Sequence, residues 1–393
     1  MPTFYNFKQD GNTYSFDDVF IRADAFRQGN LWVWGRNSYN SSGPLGTNDA
    51  TDRNTPVTTF AGGSNWKQVG SGAVGTFSAA IKTDGTLWTW GWNPNGALGT
   101  DDVTSRSTPV PTFDGGTNWK QVFVSYLYCA AIKTDGTLWT WGGNGQGQLG
   151  INDSTIRATP VTTIAGGTNW KQVSAGGYHC AAIKTDGTLW TWGYNAYGQL
   201  GINDTTDRST PVTTFAGGTN WKQVSGGQGH TAAIKTDGTL WTWGRNTEVE
   251  LGINDTTNRN TPVTTFAGGT NWKQVSTNFF NTAAIKTDGT LWTWGYNGNG
   301  QVGDNTTTDR SIPVTTFAGG TNWKQVSGGL HTVAIKTDGT LWVWGRNGYG
   351  QLGINDNTNR ATPVTTFAGG TNWKQVGGGI HQTAAIEYID PVL

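Results

Sequence analysis

Apolar and polar positions alternate in short runs along this chain, and the runs recur. Taken from Ala181, one period reads AAIKTDGTLWTWGYNAYGQLGINDTTDRSTPVTTFAGGTNWKQVSGGQGHT. Four stretches in it have strand length and strand composition: Ala-Ala-Ile-Lys, Thr-Leu-Trp-Thr-Trp, Pro-Val-Thr-Thr-Phe and Trp-Lys-Gln-Val. Asp-Gly, Gly-Ile-Asn-Asp and Ala-Gly-Gly turn chemistry separates them, and no helical periodicity joins them. Each period therefore predicts one antiparallel sheet of four short strands.

The period is 50 to 56 residues, judged from the first tryptophan of each Leu-Trp-x-Trp-Gly element: Trp32, Trp88, Trp139, Trp190, Trp241, Trp292 and Trp342. A second element, Asn-Trp-Lys-Gln-Val, supplies Trp66, Trp119, Trp170, Trp221, Trp272, Trp323 and Trp373, so of the 22 tryptophans only Trp92 stands outside the frame. Four strands per repeat of this length mark a propeller blade. Residues i and i+2 of a strand share a face, so Trp139 and Trp141 project together and Leu138 and Thr140 oppose them. Each indole buries roughly 150–250 Å², about 4–6 kcal/mol gross at about 25 cal/mol per Å², which gives blades a means of packing on one another. The Asp-Gly before each pair is expected to supply the positive φ angles of a tight hairpin.

Counting the elements predicts how the ring closes. Ala-Ile strands end at Ile81, Ile132, Ile183, Ile234, Ile285, Ile335 and Ile386, whereas the Leu-Trp-x-Trp strand begins one element earlier, at Leu31. The unpaired strand 384–386 should zip to residues 31–34, closing an all-β, seven-bladed β-propeller over residues 29–393 with four-stranded blades. Residues 1–28 are left outside as a docking segment, although ADAF at Ala23 competes for the same place. In that segment TFYNFKQDGNTYSFDDVFI reads as two strands around Asp10-Gly11. Phe4, Phe7, Tyr14, Phe16 and Phe20 give it more apolar surface than a lone hairpin buries, so it packs under the ring, on a partner or on copies of itself.

Composition removes several functions. The 393 residues carry no formal net charge and only 13% charged residues, so neither nucleic acid nor an anionic membrane has an electrostatic footprint to bind. No apolar run has the length of a membrane span, and MPTFYNFKQD lacks the regions of a secretory signal, so the chain is expected to be made in the cytoplasm and not inserted in a membrane. Cys129 and Cys180 occupy equivalent positions in successive repeats and are read as free thiols.

The segments WGYNAYGQLG, DRSTPV and GGQGHTAAIKTDG resemble the regulator of chromosome condensation repeat, whose members form seven-bladed propellers, and the resemblance runs from about Leu31 to Ile386. It implies several activities. Nuclear members exchange nucleotide on a small GTPase and bind chromatin, which the neutral charge and lack of a basic tail or wedge-like insertion disfavour. Plant ultraviolet-B photoreceptors use a Gly-Trp-Arg-His-Thr cluster, and GGQGHT and GGYHC contain no tryptophan. A secreted bacterial member inhibits β-lactamases through an aromatic face, and this chain looks more like that design. DDVFIRADAFRQGNLWVWG is also similar to the N-terminal segments of repeat proteins encoded by environmental phages, implying a virion contact through residues 1–28 and incorporation into a virion.

No catalytic set assembles from the residues. His179, His230, His331 and His381 fall at related places in the Gly-Gly-x-His region and are read as structural, and Glu248 and Glu250 as a solvated turn. Arg53, Arg106, Arg157, Arg208, Arg259, Arg310 and Arg360, each three residues before Pro, are read as loop braces. GINDTTDR lacks the order of a calcium loop, and no zinc spacing or phosphate loop appears, so no metal, cofactor or enzymatic activity is expected.

Near-identical repeats provide an internal control, because positions that differ between blades are those the frame does not dictate. Two segments differ most: the residues after Trp-Gly and those before Ala-Ala-Ile. Both lie at the open end of one hairpin, so they should share one face of the disc. That face is expected to display Arg36, Tyr39, Trp92, Tyr126, Tyr128, Tyr194, Tyr197, Arg245, Phe279, Phe280, Tyr296, Arg346 and Tyr349, the residue types that dominate binding hot spots. The reading is a non-enzymatic binding or adhesion module for a protein or glycan; its rival is a structural or decoration protein assembling through residues 1–28.

Overall fold

A computed structural model describes residues 7–9, 12–14, 29–70 and 76–388. Seven four-stranded antiparallel sheets follow one another in the chain, each a simple meander. In a representative blade the inner strand is Trp170–Ala175, the second His179–Lys184, the third Leu189–Gly193 and the outer Arg208–Thr213. The inner strands of all seven blades touch their neighbours in a complete circuit around the axis. Separately, Phe7–Gln9 pairs antiparallel with Asn12–Tyr14, the two short strands expected there; ADAF and the rest of residues 15–28 lie outside the described residues.

The closing blade is composite. Its inner and second strands, Trp373–Gly378 and Gln382–Tyr388, come from the end of the chain, and its third and outer strands, Gly29–Gly35 and Arg53–Thr58, from the beginning. The seam runs from Gly29 opposite Tyr388 to Gly35 opposite Gln382, with Leu31 facing Ile386 and Trp34 facing Thr383, as the element count requires.

The repeated Lys-Thr-Asp-Gly-Thr is explained by what each side chain does at the hairpin. Lys82 N donates to Thr86 O and Gly85 N to Lys82 O, and only the glycine of the pair takes positive φ (81° at Gly85), so the loop is three residues long rather than a two-residue turn needing positive φ twice. Asp84 accepts from the amide and hydroxyl of Thr86, and that hydroxyl accepts from Trp88 Nε1 at 2.9 Å. Lys82 lies over the rings of Trp88 and Trp66, 4.0 and 4.9 Å from their centroids. The seam has no such hairpin, and Glu387, standing where the other blades have Lys, accepts from Trp32 Nε1 at 2.8 Å instead.

Blades hold together by indoles and by a belt of amides. Trp119 packs edge-on to Trp139 and tilted against Trp141, and this trio sits on Ala79, Ile81 and Leu87 of the preceding blade; Leu138, on the other face, packs on Trp170 and Trp192 of the following one. In six of the seven pairs the second indole also reaches back across the junction, as Trp243 Nε1 does to Gln199 O at 2.9 Å; Trp90 Nε1 is buried without a partner. Around the axis the glutamine of Trp-Lys-Gln-Val bonds the backbone of the next blade's valine at all seven junctions. Gln172 is bonded through both ends of its amide to Val224, and Gln375 of the closing blade accepts from Val69 N of the next at 3.1 Å.

The outer loops are braced as expected. Six of the seven arginines pair with the aspartate four residues earlier, as Arg208 does with Asp204 at 2.6 Å, and Arg310 pairs with Asp304 at 2.5 Å. One constant feature was not anticipated. Phe60, Phe113, Ile164, Phe215, Phe266, Phe317 and Phe367, which leave the outer strands, are 57–66% exposed, a ring of seven apolar side chains on the rim that also carries the Asp-Gly turns.

Candidate functional site

The open ends of the second-to-third strand hairpins build one face of the disc. In every blade the residue after Trp-Gly donates its N–H to the residue that precedes the second strand: Tyr194 to Tyr178 O (2.9 Å), Arg245 to Gly229 O (2.8 Å), Tyr296 to Phe280 O (3.0 Å) and Arg36 to His381 O (2.7 Å). The two variable segments thus meet in pairs, on the face opposite the Asp-Gly turns. Below them a buried asparagine pins each loop: Asn195 donates to Asp204 O (2.9 Å) and accepts from Leu200 N (2.9 Å), so only its neighbours are free to vary.

A polar layer forms the floor. His179 Nε2 meets Thr231 Oγ1 of the next blade at 2.8 Å, His230 meets Thr282 at 3.0 Å and His331 meets Thr383 at 2.6 Å. Burial lowers these imidazoles to about 4, 3 and 3, so they are neutral packing groups at physiological pH. His381 departs from the expected common position. Its neighbour Gln382 pairs with Gly35 as the other histidines pair with their glycines, and Gln382 Nε2 makes the junction bond to Phe77 O (3.3 Å). His381 therefore sits one residue early, up in the variable layer, with its ring 4.8 Å from Tyr349.

Tyr128 is also corrected. It begins its second strand opposite Gly142, as His179 does opposite Gly193, so it occupies the histidine position of its blade. It is wholly buried and its phenol donates across the junction to His179 O at 2.5 Å, so it belongs to the floor and is not displayed. Cys180 Sγ lies 3.7 Å from that phenol; both cysteines are free and buried, and burial pushes the Cys180 thiol up to about 12.

The other expected residues are half-buried or exposed and form three groups. Arg36 lies over Tyr39 (5.1 Å) and Tyr349 (4.6 Å), with Trp92 edge-on to Tyr39 and Arg346 6.0 Å from Tyr349. Near the axis Tyr126, Phe279 and Phe280 pack on Leu330 and Ile380. In the third group Arg245 lies over Phe280 (4.6 Å) and Tyr197 (6.0 Å), Tyr194 stands edge-on to Tyr197, and Phe280 touches Tyr296.

Two concavities open between these groups. The larger, about 390 Å³, is lined by Gln146, Tyr178, Tyr194, Tyr197, Gln228, Gly229 and Arg245; the smaller, about 100 Å³, includes Arg36, Tyr39, Tyr126 and His381. Tyr178 and His381 were missed because they directly precede the frame residue of the second strand, and Gln228 because it lies one residue further back, positions visible only once hairpin register aligns the repeats. Glu250 was misread as solvated. It stands where other repeats have Gln148, Gln199, Gln301 and Gln351, is 1% exposed, accepts from Glu248 N (2.9 Å), and has Oε1 3.6 Å from Arg245 Nε. Burial raises its carboxyl to about 7 against the pull of Arg245. Among the described residues no group of three or more His, Cys, Asp or Glu is placed to hold a metal, and no helix is long and apolar enough to cross a membrane.

Comparison with known proteins agrees with this architecture. Residues 25–330 match the family model described as the RCC1-like domain, and residues 338–386 the regulator of chromosome condensation (RCC1) repeat. The ultraviolet-B receptor UVR8 of Arabidopsis thaliana is 34% identical over 286 residues, covering 72% of this chain and 64% of that protein. Protein pim1 of Schizosaccharomyces pombe is 28% identical over 334 residues, covering 76% of this chain and 61% of that protein. This chain thus spans less than two thirds of the length of these curated relatives. Among solved structures, human WBSCR16 superposes with a TM-score of 0.78 at 20% identity, covering 92% of this chain and 99% of that one. Yeast RCC1 (Prp20), crystallised bound to Kap60, also gives 0.78, at 19% identity, covering 93% and 90%.

Proposed function

Because the chain belongs to the RCC1-like propeller family, we propose that it is a non-enzymatic binding module whose ligand, a protein or glycan, docks on the variable-loop face. The observation that carries this reading is the contrast between layers. Belt and braces repeat from blade to blade, while the paired positions at the hairpin ends differ and concentrate Tyr, Trp, Phe and Arg on a rigid scaffold. A protein partner has a precedent on this fold, since yeast RCC1 (Prp20) has been crystallised bound to Kap60 and studied for binding to Gsp1p and histones. Catalysis is disfavoured by three histidines sealed against threonines and by carboxylates engaged in turns and ion pairs.

Replacing Trp92, Tyr126 and Phe279 together with Ala tests the reading. Partners recovered with the tagged protein from its native source, identified by mass spectrometry, should be lost while the melting temperature is retained. An unchanged set of partners would reject this face.

The second reading, a structural protein that assembles through residues 1–28, draws support from the exposed apolar ring. Gly29, where the propeller begins, lies on that same rim. Sedimentation velocity of Phe60→Ser, Phe317→Ser, Phe367→Ser protein, and of protein lacking residues 1–28, should then show lost assembly; a wild-type monomer at all concentrations rejects this reading. Incorporation into a virion rests on the N-terminal resemblance alone and has no support in the propeller.

A further inference from the structure

We infer that the 390 Å³ cleft beside Arg245 is a binding site for a neutral saccharide, a deeper assignment that rests on the loop-face reading above. The cleft exists because one side chain is missing. The residue that accepts the hairpin-end bond is Thr76, Leu127, Tyr178, Phe280, Leu330 or His381 in the other six blades, and Gly229 here. Backbone geometry does not demand this glycine, because its φ lies outside the left-handed range. A Cβ added to it would come within 3.3 Å of Arg245 Cβ and Tyr197 Cδ2, and any larger side chain would enter the space. The glycine's consequence is room.

The walls fit a sugar ring. Tyr178, Tyr194 and Tyr197 offer aromatic faces whose negative quadrupole attracts the partly positive C–H groups on the apolar side of a pyranose. Gln146, Gln228 and Arg245 contribute amides and a guanidinium fork suited to vicinal hydroxyls. The volume falls in the usual range of about 300–1,000 Å³ for small-ligand sites.

Charge selects the class. Arg245 is the charged side chain in the lining, and it already faces Glu248 at 3.4 Å and Glu250 at 3.6 Å while its Nε donates to Thr247 Oγ1 at 2.7 Å. An anionic ligand would compete with the Glu248 carboxylate and a partly ionised Glu250 for this cation, whereas an uncharged polyol needs only the free N–H and amide groups.

The test uses the full chain on a printed array of neutral and sialylated glycans, followed by calorimetry with lactose, cellobiose and N,N′-diacetylchitobiose. At least one neutral glycan should bind. Gly229→Leu, which installs the side chain the blade at Leu127 carries, and Tyr194→Ala with Tyr197→Ala should each weaken it at least about tenfold with an unchanged melting temperature. Lys222→Ala, an exposed inner-strand residue outside the cleft and the loop face, should leave it intact. The inference is overturned if no neutral glycan binds, if sialylated glycans are preferred, or if both cleft variants bind like wild type. A blank array together with a protein partner lost on Trp92, Tyr126 and Phe279 replacement overturns the sugar assignment alone; partners that survive that replacement remove the loop-face reading itself.

Discussion

Glu250→Gln should make this protein more stable, and more so as the pH rises. Folding moves the Glu250 carboxyl from 4.5 to about 7 because burial penalises the carboxylate more than Arg245 favours it. Between those values the unfolded chain has released this proton and the folded chain has kept it, so stability falls as pH rises and the loss is complete above about 7. The interval from 4.5 to about 7, at about 1.36 kcal/mol per pH unit, sets a full penalty of about 3 kcal/mol, and about 1 kcal/mol at pH 5.5. A glutamine at this position would carry no such penalty, and the frame already holds glutamine at Gln148, Gln199, Gln301 and Gln351. With an unfolding entropy of about 2.1 cal/mol/K per residue, about 3 kcal/mol corresponds to a melting temperature higher by roughly 4 °C. Calorimetric scans of both proteins at one scan rate, at pH 5.5 and 8.5, measure this. An equal shift at both pH values, or a less stable variant at pH 8.5, would refute the reasoning.

Three further outcomes follow from the same geometry. His230→Gln, which copies the closing blade's Gln382, should reduce acid sensitivity: His230 is held at about 3 against 6.5 unfolded, so its contribution is present above 6.5 and fades as pH falls toward 3, and urea midpoints across that window report it. Gln375→Ala removes the amide that joins the closing blade to Val69 of the next and should cost about 1 kcal/mol or more in chemical denaturation, with opening localised by hydrogen exchange to residues 66–69. Cys129 and Cys180 should stay unreactive toward a thiol reagent at pH 8 until the protein is denatured, since both are fully buried with raised thiols; rapid labelling of the native protein would contradict their placement.

The architecture was legible because its signals are local and repeated. Two tryptophans at i and i+2, an Asp-Gly hairpin and a leftover strand at each end of the count were enough to place Leu31 opposite Ile386. The loop face was legible in outline, since variability marks what the frame leaves free. What escaped depends on register and depth, which residue type does not report. Tyr128 looked like a displayed aromatic but fills a histidine's place, His381 looked like a frame histidine but stands one residue early, and Glu250 looked solvated because glutamates usually are. The exposed Phe ring was invisible for the opposite reason: constancy between repeats reads as packing, and Phe215, at 66% exposure, packs on little.

The seam has a mechanical consequence. Gly29 and Tyr388 are paired with each other, so both chain ends leave the disc from the same end of the same two strands. A load pulling the ends apart acts on one rung of that ladder at a time, from Gly29–Tyr388 toward Gly35–Gln382, and peels it instead of shearing all its bonds together. The circle that indoles and amides hold together is thus weakest against tension, and would give way first where its two ends were stitched.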